Sequence, residues 1–192
     1  MNYGLQRFLA LLLLIAAAPL LLLIALACLI LQGAVFFRED RIGMDKRKFR
    51  LYKFLSMKRP PEGFMTPEQQ EEWQSFGKLK VDPRVTRFGH FLRRFSLDEL
   101  PQLWNVVRGE MALVGPRPIV DFEDVIYGRF SGRIHSVKPG ITGLWQVSGR
   151  NQLTYRRRIA INLYYVRHRS PKLDLWILLR TFDAVFGGRG AF

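Results

Sequence analysis

The chain has 192 residues, with 30 Lys and Arg against 16 Asp and Glu, and a formal net charge of +14. Arg7 is the only charged residue among the first 37, so residues 38–192 carry net +13 on a length sufficient for one domain with a real core. A surplus of this size favours polyanionic partners such as nucleic acid, anionic lipid or phosphorylated substrates, and the single cysteine, Cys28, excludes a disulfide framework.

Residues 9 to 37 form an apolar run in which Gln32 is the only strongly polar side chain. About 20 apolar residues as helix fill a bilayer core, so the run predicts insertion into a membrane. It is too long for the roughly 7–15-residue core of a signal peptide, and Arg38-Glu39-Asp40-Arg41 follows it directly. The positive-inside rule then puts the basic part in the cytoplasm. Pro19 interrupts the run. Proline removes a helical hydrogen bond, clashes with the preceding turn and pushes the residue before it, here Ala18, away from α geometry. Membrane helices tolerate such a kink. On these residues a kinked spanning helix and a helix that bends back to its starting face both stay open.

Further along, residues 47–58 alternate partly between basic and apolar and predict a strand or an amphipathic interfacial segment. Pro60-Pro61 and Gly63 open a long loop in which Thr66 before Pro67 predicts an N-cap and a short surface helix. Phe88, Phe91, Leu92 and Phe95 have helical spacing among Arg84, Arg87, Arg93 and Arg94. Residues 117–151 are rich in turn formers, residues 155–168 read as helix, and the apolar stretch 173–186 with Trp176 predicts a helix lying in the membrane interface.

The stretch that could carry chemistry is Ser96-Leu97-Asp98-Glu99-Leu100-Pro101-Gln102-Leu103-Trp104-Asn105. Its plainest reading is structural: Ser96 and Glu99 as a capping box, or two acids on the turn before a helix that Pro101 opens. The chemical reading starts from two adjacent carboxylates amid Arg93, Arg94, Arg108 and Arg117, where they should stay ionised. An ionised Asp can attack phosphorus to give an acyl phosphate, provided that arginines, Lys53 and a divalent cation neutralise the phosphate. Mg²⁺ takes one or two carboxylates plus phosphate oxygens. Gly115-Pro116-Arg117-Pro118 holds an arginine between two prolines, either as a rigid turn or as a preorganised phosphate ligand. Lys138-Pro139-Gly140-Ile141-Thr142-Gly143-Leu144-Trp145-Gln146-Val147-Ser148-Gly149-Arg150-Asn151 has glycines spaced so that backbone amides can approach a ligand.

These strings resemble those of the bacterial sugar transferases, the monotopic phosphoglycosyl transferases. Tyr52-Lys53-Phe54 with Ser56-Met57, the Ser96–Val106 string, Gly109-Glu110-Met111, Val114-Gly115-Pro116-Arg117-Pro118 and Pro139–Arg150 carry the resemblance over nearly the whole chain. It implies a mostly α fold with small β content: a re-entrant N-terminal membrane helix (1–37) and a compact cytosolic catalytic domain (38–192) with amphipathic interfacial helices. It also implies transfer of a sugar 1-phosphate from a UDP-sugar to polyprenol phosphate, usually undecaprenyl phosphate, with loss of UMP, at the cytoplasmic face of a bacterial inner membrane, as the first step of glycan or exopolysaccharide assembly. Asp98 matches the family nucleophile and candidate metal ligand, and Glu99 its dyad partner. Lys53, Arg93 and Arg117 match basic positions near the phosphates, Ala18-Pro19 matches the helix break, and Mg²⁺ is the cofactor.

Three departures stand out: Ala18-Pro19 where the family commonly has Ser-Pro, Leu55 where it often has Arg, and Asn162 where it commonly has Asp. The Gly190-Ala191-Phe192 end resembles hexose-specific exopolysaccharide initiators, which points to glucose or galactose. The length implies the catalytic module alone, and a homo-oligomer is compatible with it. Two rival readings are a basic membrane-tethered nucleic-acid binder and an interfacial scaffold. The first accounts for the charge and the interleaved aromatics but not for the ordered acid, proline and arginine strings, so nucleic acid is not the expected partner.

Overall fold

The computed structural model describes residues 1–58, 65–76, 79, 82–149 and 153–186. Pro60-Pro61, Gly63, Arg150, Asn151 and Gly190-Ala191-Phe192 lie outside the described residues.

Helix α1 spans Tyr3–Gln32; Asn2 caps it by accepting from the Gly4 amide, and Gly33 ends it in the left-handed conformation that a glycine adopts without strain. The helix runs through Pro19 without a gap. The expected displacement of Ala18 from α geometry is therefore not found, because the proline costs one hydrogen bond but its fixed φ is itself helical. Much of the helix surface is bare: Phe8, Ile15, Leu22, Leu23, Ile30 and Leu31 are all exposed. Both halves nevertheless pack on the same body. Ala10 belongs to the main core with Leu51, Val106, Met111 and Ile177, while Ile24 and Cys28 pack with Phe54 and Leu92. Gln6, almost fully buried, accepts from the amides of Leu113 and Val114 at 2.8 and 3.3 Å.

The apolar run divides between two elements, since Phe36 and Phe37 open strand β1 (Phe36–Ile42). β1 pairs antiparallel with β2 (Lys48–Phe54), and residues 47–58 thus contribute a strand. Helix α2 (Pro67–Phe76) follows Thr66, whose hydroxyl accepts from the Gln69 amide as an N-cap should. Thr86 caps α3 (Arg87–Arg94) in the same way. A 3₁₀ turn at Leu97–Glu99 leads to α4 (Gln102–Arg108). Strand β3 (Ala112–Val114) pairs in parallel with β4 (Gly140–Thr142) across α5 (Asp121–Tyr127) and α6 (Ser131–Ile134). The chain then forms α7 (Leu144–Val147), α8 (Tyr155–His168) and α9 (Pro171–Phe186). Among the described residues the fold is mostly helical, with two small two-stranded sheets.

The glycines of the β4 region sit where two backbone segments meet, and Gly140 also lines the cleft beside Lys53 and Glu99. A methyl group at Gly140 would overlap the Gly115 amide nitrogen and the Thr142 carbonyl, and one at Gly143 would overlap the Gly115 carbonyl. They let two backbone segments touch each other, which locks the Gly115–Pro118 turn onto β4 through Gly115 N to Thr142 O (2.9 Å) and Gly140 N to Pro116 O (2.8 Å).

Candidate active site

Strand β2 presents Lys53, whose Nζ donates to Glu99 Oε1 at 2.8 Å. Arg117 Nη1 stands 3.7 Å from the same oxygen, so Glu99 bridges the strand and the proline-bracketed turn. Asn105 fixes α4 beside β2. It is fully buried, its Nδ2 donates to Arg50 O and Glu110 Oε2, both at 2.7 Å, and its Oδ1 accepts from Tyr52 N at 3.3 Å. One carboxamide thereby satisfies two of the polar groups that β2 turns away from its partner strand, as a third strand would.

Asp98 sits in the 3₁₀ turn, 7% exposed. Ser96 before it has φ 54° and makes no side-chain cap hydrogen bond. The capping box is therefore absent, and a non-glycine residue in left-handed geometry adjoins the acids, a costly conformation that tends to persist at functional sites. The acids lie on the turn before α4, with Pro101 at its N-cap. Burial pushes the Asp98 carboxyl above its ordinary pKa; the charge of Lys53 opposes this, that of Glu99 adds to it and that of Arg93 opposes it. Desolvation thus acts more strongly on this carboxyl than the neighbouring positive charge, an effect that the cations around it in the sequence do not reveal. Arg93 is held in place by Ser56 Oγ (3.1 Å) and Met57 Sδ (2.9 Å).

Lys53, Glu99, Gln102, Arg117, Arg41 and Gln146 line a narrow cleft, and Asp98 is not among its lining residues. The structure thus brings Lys53, Arg93, Asp98, Glu99 and Arg117 together. Ala18-Pro19 belongs to α1, and Asn162 is buried on α8 with Nδ2 3.4 Å from the Tyr127 hydroxyl. Burial pushes that hydroxyl up to about 12. Leu55 offers its carbonyl to Gln32 Nε2 at 2.5 Å.

Reading the sequence alone misses Arg41, Asn105, Gln102 and Ser56. Arg41 donates to Pro118 O at 3.2 Å, pairs with Glu39 and stands 3.8 Å from Glu123; burial first, then the nearby Arg117, lowers its pKa. The signal available for the other three was a polar residue inside an otherwise apolar helical or strand pattern. Among the described residues no three His, Cys, Asp or Glu side chains gather as a metal cluster. A divalent ion would have one or two carboxylates here, the pair Asp98 and Glu99, and would need phosphate oxygens to complete its shell.

The site is thus a buried carboxylate with Lys53 and Arg93 near it and Arg117 beside its neighbour Glu99. Compared with known proteins, residues 2–188 match the bacterial sugar transferase family. The chain belongs to that family. It is 41% identical over 191 residues to the exopolysaccharide production protein ExoY of Sinorhizobium fredii, covering 96% of this chain and 84% of that one. It is 47% identical over 166 residues to the UDP-galactose-lipid carrier transferase of Erwinia amylovora, covering 83% of this chain and 35% of the relative. With the undecaprenyl-phosphate galactose phosphotransferase of Salmonella typhimurium it shares 39% over 189 residues, 95% of this chain and 40% of the relative. The bacterial sugar transferase segment is thus nearly all of this chain but spans well under half of the latter two.

Proposed function

We propose that this chain transfers a sugar 1-phosphate from a UDP-sugar to undecaprenyl phosphate through a covalent intermediate on Asp98. In the first step an Asp98 carboxylate oxygen bonds to the phosphorus that carries the sugar. The bond from that phosphorus to the bridging oxygen breaks, and UMP leaves with the electron pair. In the second step an oxygen of the lipid phosphate attacks the same phosphorus and releases Asp98, leaving a polyprenol diphosphate sugar. The observation that carries this reading is Asp98 set between Lys53, Arg93 and Glu99 on a strained turn, in a chain whose family includes carriers of such names.

Lys53 and Arg117 hold Glu99 now and would share their positive charge with the donor's phosphates once bound. Arg93, on α3, flanks Asp98 from the other side. The two adjacent carboxylates fit Mg²⁺, with Asp98 as a ligand, which when bound would neutralise charge on the phosphates. The names of the relatives point to a hexose, glucose or galactose, and to exopolysaccharide assembly.

The membrane placement belongs to the same reading. A straight 30-residue helix is about 45 Å long, so a helix crossing the bilayer would carry one end far from the domain. Contacts of both halves of α1 with one body support a helix that enters one leaflet, bends near Pro19 and returns. Exposed Phe91 on α3, Trp104 on α4 and Leu175, Trp176, Leu179 and Phe182 on α9 would seat the domain at the headgroups on the cytoplasmic face of the inner membrane.

The test is UMP release from a panel of UDP-sugars by purified protein in detergent, with and without undecaprenyl phosphate. Expected are a stoichiometric burst without acceptor, turnover with it, and neither with Asp98→Asn. Full activity of Asp98→Asn, or no release from any UDP-sugar, overturns the proposal.

A further inference from the structure

At the opposite end of α4 from Asp98, three cations gather about Gly109 and Tyr3, with no ion pair to an acid among the described residues. Arg7 Nε donates to the carbonyl of Val107 in the last turn of α4 at 2.9 Å. Its guanidinium and the Lys138 ammonium both overhang Gly109, the residue that closes that helix. They stand 3.7 and 3.6 Å from where a Cβ on Gly109 would be. Tyr3 brings in the third: its ring lies 4.7 Å from Lys138 Nζ and 5.9 Å from the Arg169 guanidinium. Its hydroxyl accepts from Lys138 N at 3.2 Å and from Arg169 Nη1 at 3.0 Å. Among the described residues no carboxylate forms an ion pair with Arg7, Lys138 or Arg169, and two acids of this region are occupied elsewhere. Asp174 holds the N-terminal amine and the Tyr165 hydroxyl, and Glu110 holds Arg108 and Asn105. Burial, and then the charge of Arg7, lowers the pKa of Lys138, a cost that a bound anion would relieve.

The surroundings of this cluster are apolar and exposed. Leu5 and Phe8 flank Arg7 on α1, and α9, which starts two residues after Arg169, exposes Leu175 and Trp176. An anion carried on a lipid can use both features, while a free anion uses only the charge. We infer that Arg7, Lys138 and Arg169 form a binding site for the phosphate of an anionic membrane phospholipid, whose acyl chains lie along the exposed apolar faces of α1 and α9. This site rests on the membrane placement proposed above but not on the chemistry at Asp98, from which α4 separates it. Bound lipid would tie the start of α1, the end of α4 and the segment before α9 to a single headgroup.

The test uses the full chain extracted by mild detergent from vesicles of equal parts phosphatidylcholine and phosphatidylglycerol, with native mass spectrometry counting retained lipids. The expected result is preferential retention of phosphatidylglycerol that millimolar inorganic phosphate does not displace. The preference should fall about fivefold for each cation removed in K138Q and R169Q and persist in the charge-preserving pair K138R and R169K. If K138Q does not fold, R169Q alone carries the test, since that side chain is exposed. Equal retention of the two lipids by the unaltered chain, or an unchanged preference in R169Q, overturns the inference. Ready displacement by inorganic phosphate also overturns it, by assigning the cluster to free anions. Loss of UMP release with lipid preference intact would reject the reaction and leave this site standing, and the converse would do the reverse.

Discussion

Replacing Asn105 by Ala tests how the site is held together. The carboxamide is fully buried and makes three hydrogen bonds, two of them at 2.7 Å. Truncation leaves the Arg50 carbonyl and the Tyr52 amide, two of the outward polar groups of β2, without the partner that Asn105 supplies. Each buried group left unpaired costs about 1–3 kcal/mol, and a hydrogen bond to a charged acceptor such as Glu110 contributes about 1.5–3. Allowing for water entering the space, the net loss is about 3–5 kcal/mol, a large part of the about 5–15 kcal/mol that usually separates folded from unfolded states. For a chain of this size about 1 kcal/mol moves the melting temperature by about 2–4 °C, so a drop of roughly 10 °C is expected. Circular dichroism melts in detergent measure it. Asn105→Asp is the control for volume: nearly isosteric, it removes both donors and sets a second carboxylate against Glu110, so it should melt at least as low. Melting of Asn105→Ala within 2 °C of the unaltered protein would refute the idea that this side chain joins β2 to α4.

Asp98→Asn should abolish turnover yet stabilise the protein at neutral pH. Burial raises the folded-state pKa of Asp98 above its unfolded value, so its ionisation costs stability as pH rises through the interval between the two values. The stabilisation by Asn should be present above that interval and vanish below the ordinary carboxylate pKa, and a melting temperature lower than that of the unaltered chain at pH 8 would contradict it. Lys53→Gln removes the strongest charge opposing that rise, so the acidic limb of the pH–rate profile should move to higher pH, with turnover reduced about 10²–10³-fold; an unmoved limb would dissociate Lys53 from Asp98. Gly140→Ala places a methyl group against the Gly115 amide and should prevent accumulation of folded protein, as judged by gel filtration in detergent. Recovery of a monodisperse Gly140→Ala variant with ordinary melting behaviour would show that the β3–β4 crossing has room.

Most of the helices were legible because local signals set them. Thr66-Pro67 began α2 as expected, and the segment read as helix at 155–168 is α8. The acid and arginine strings could be read as one site only through the family resemblance, because their members come from β2, α3, the 3₁₀ turn and the turn after β3. What stayed illegible was how backbone meets backbone. The spacing of the glycines at 140 and 143 lets backbone approach something, but it does not show that one such partner is the chain's own backbone at Gly115. Composition likewise reveals the cations near Asp98 but not the desolvation that opposes them and raises its pKa. Asn105 and Gln6 lay inside apolar patterns, where an amide is a sign of a buried bridge between distant segments.

Because α1 contributes Gln6, Ala10, Ile24 and Cys28 to the interior, it is not a detachable anchor. Deleting it to obtain a water-soluble enzyme would uncover the amides of Leu113 and Val114 and two separate patches of core. On the membrane placement proposed above, solubility and a native fold are competing demands, and detergents or lipid discs belong to the conditions under which this chain keeps its shape.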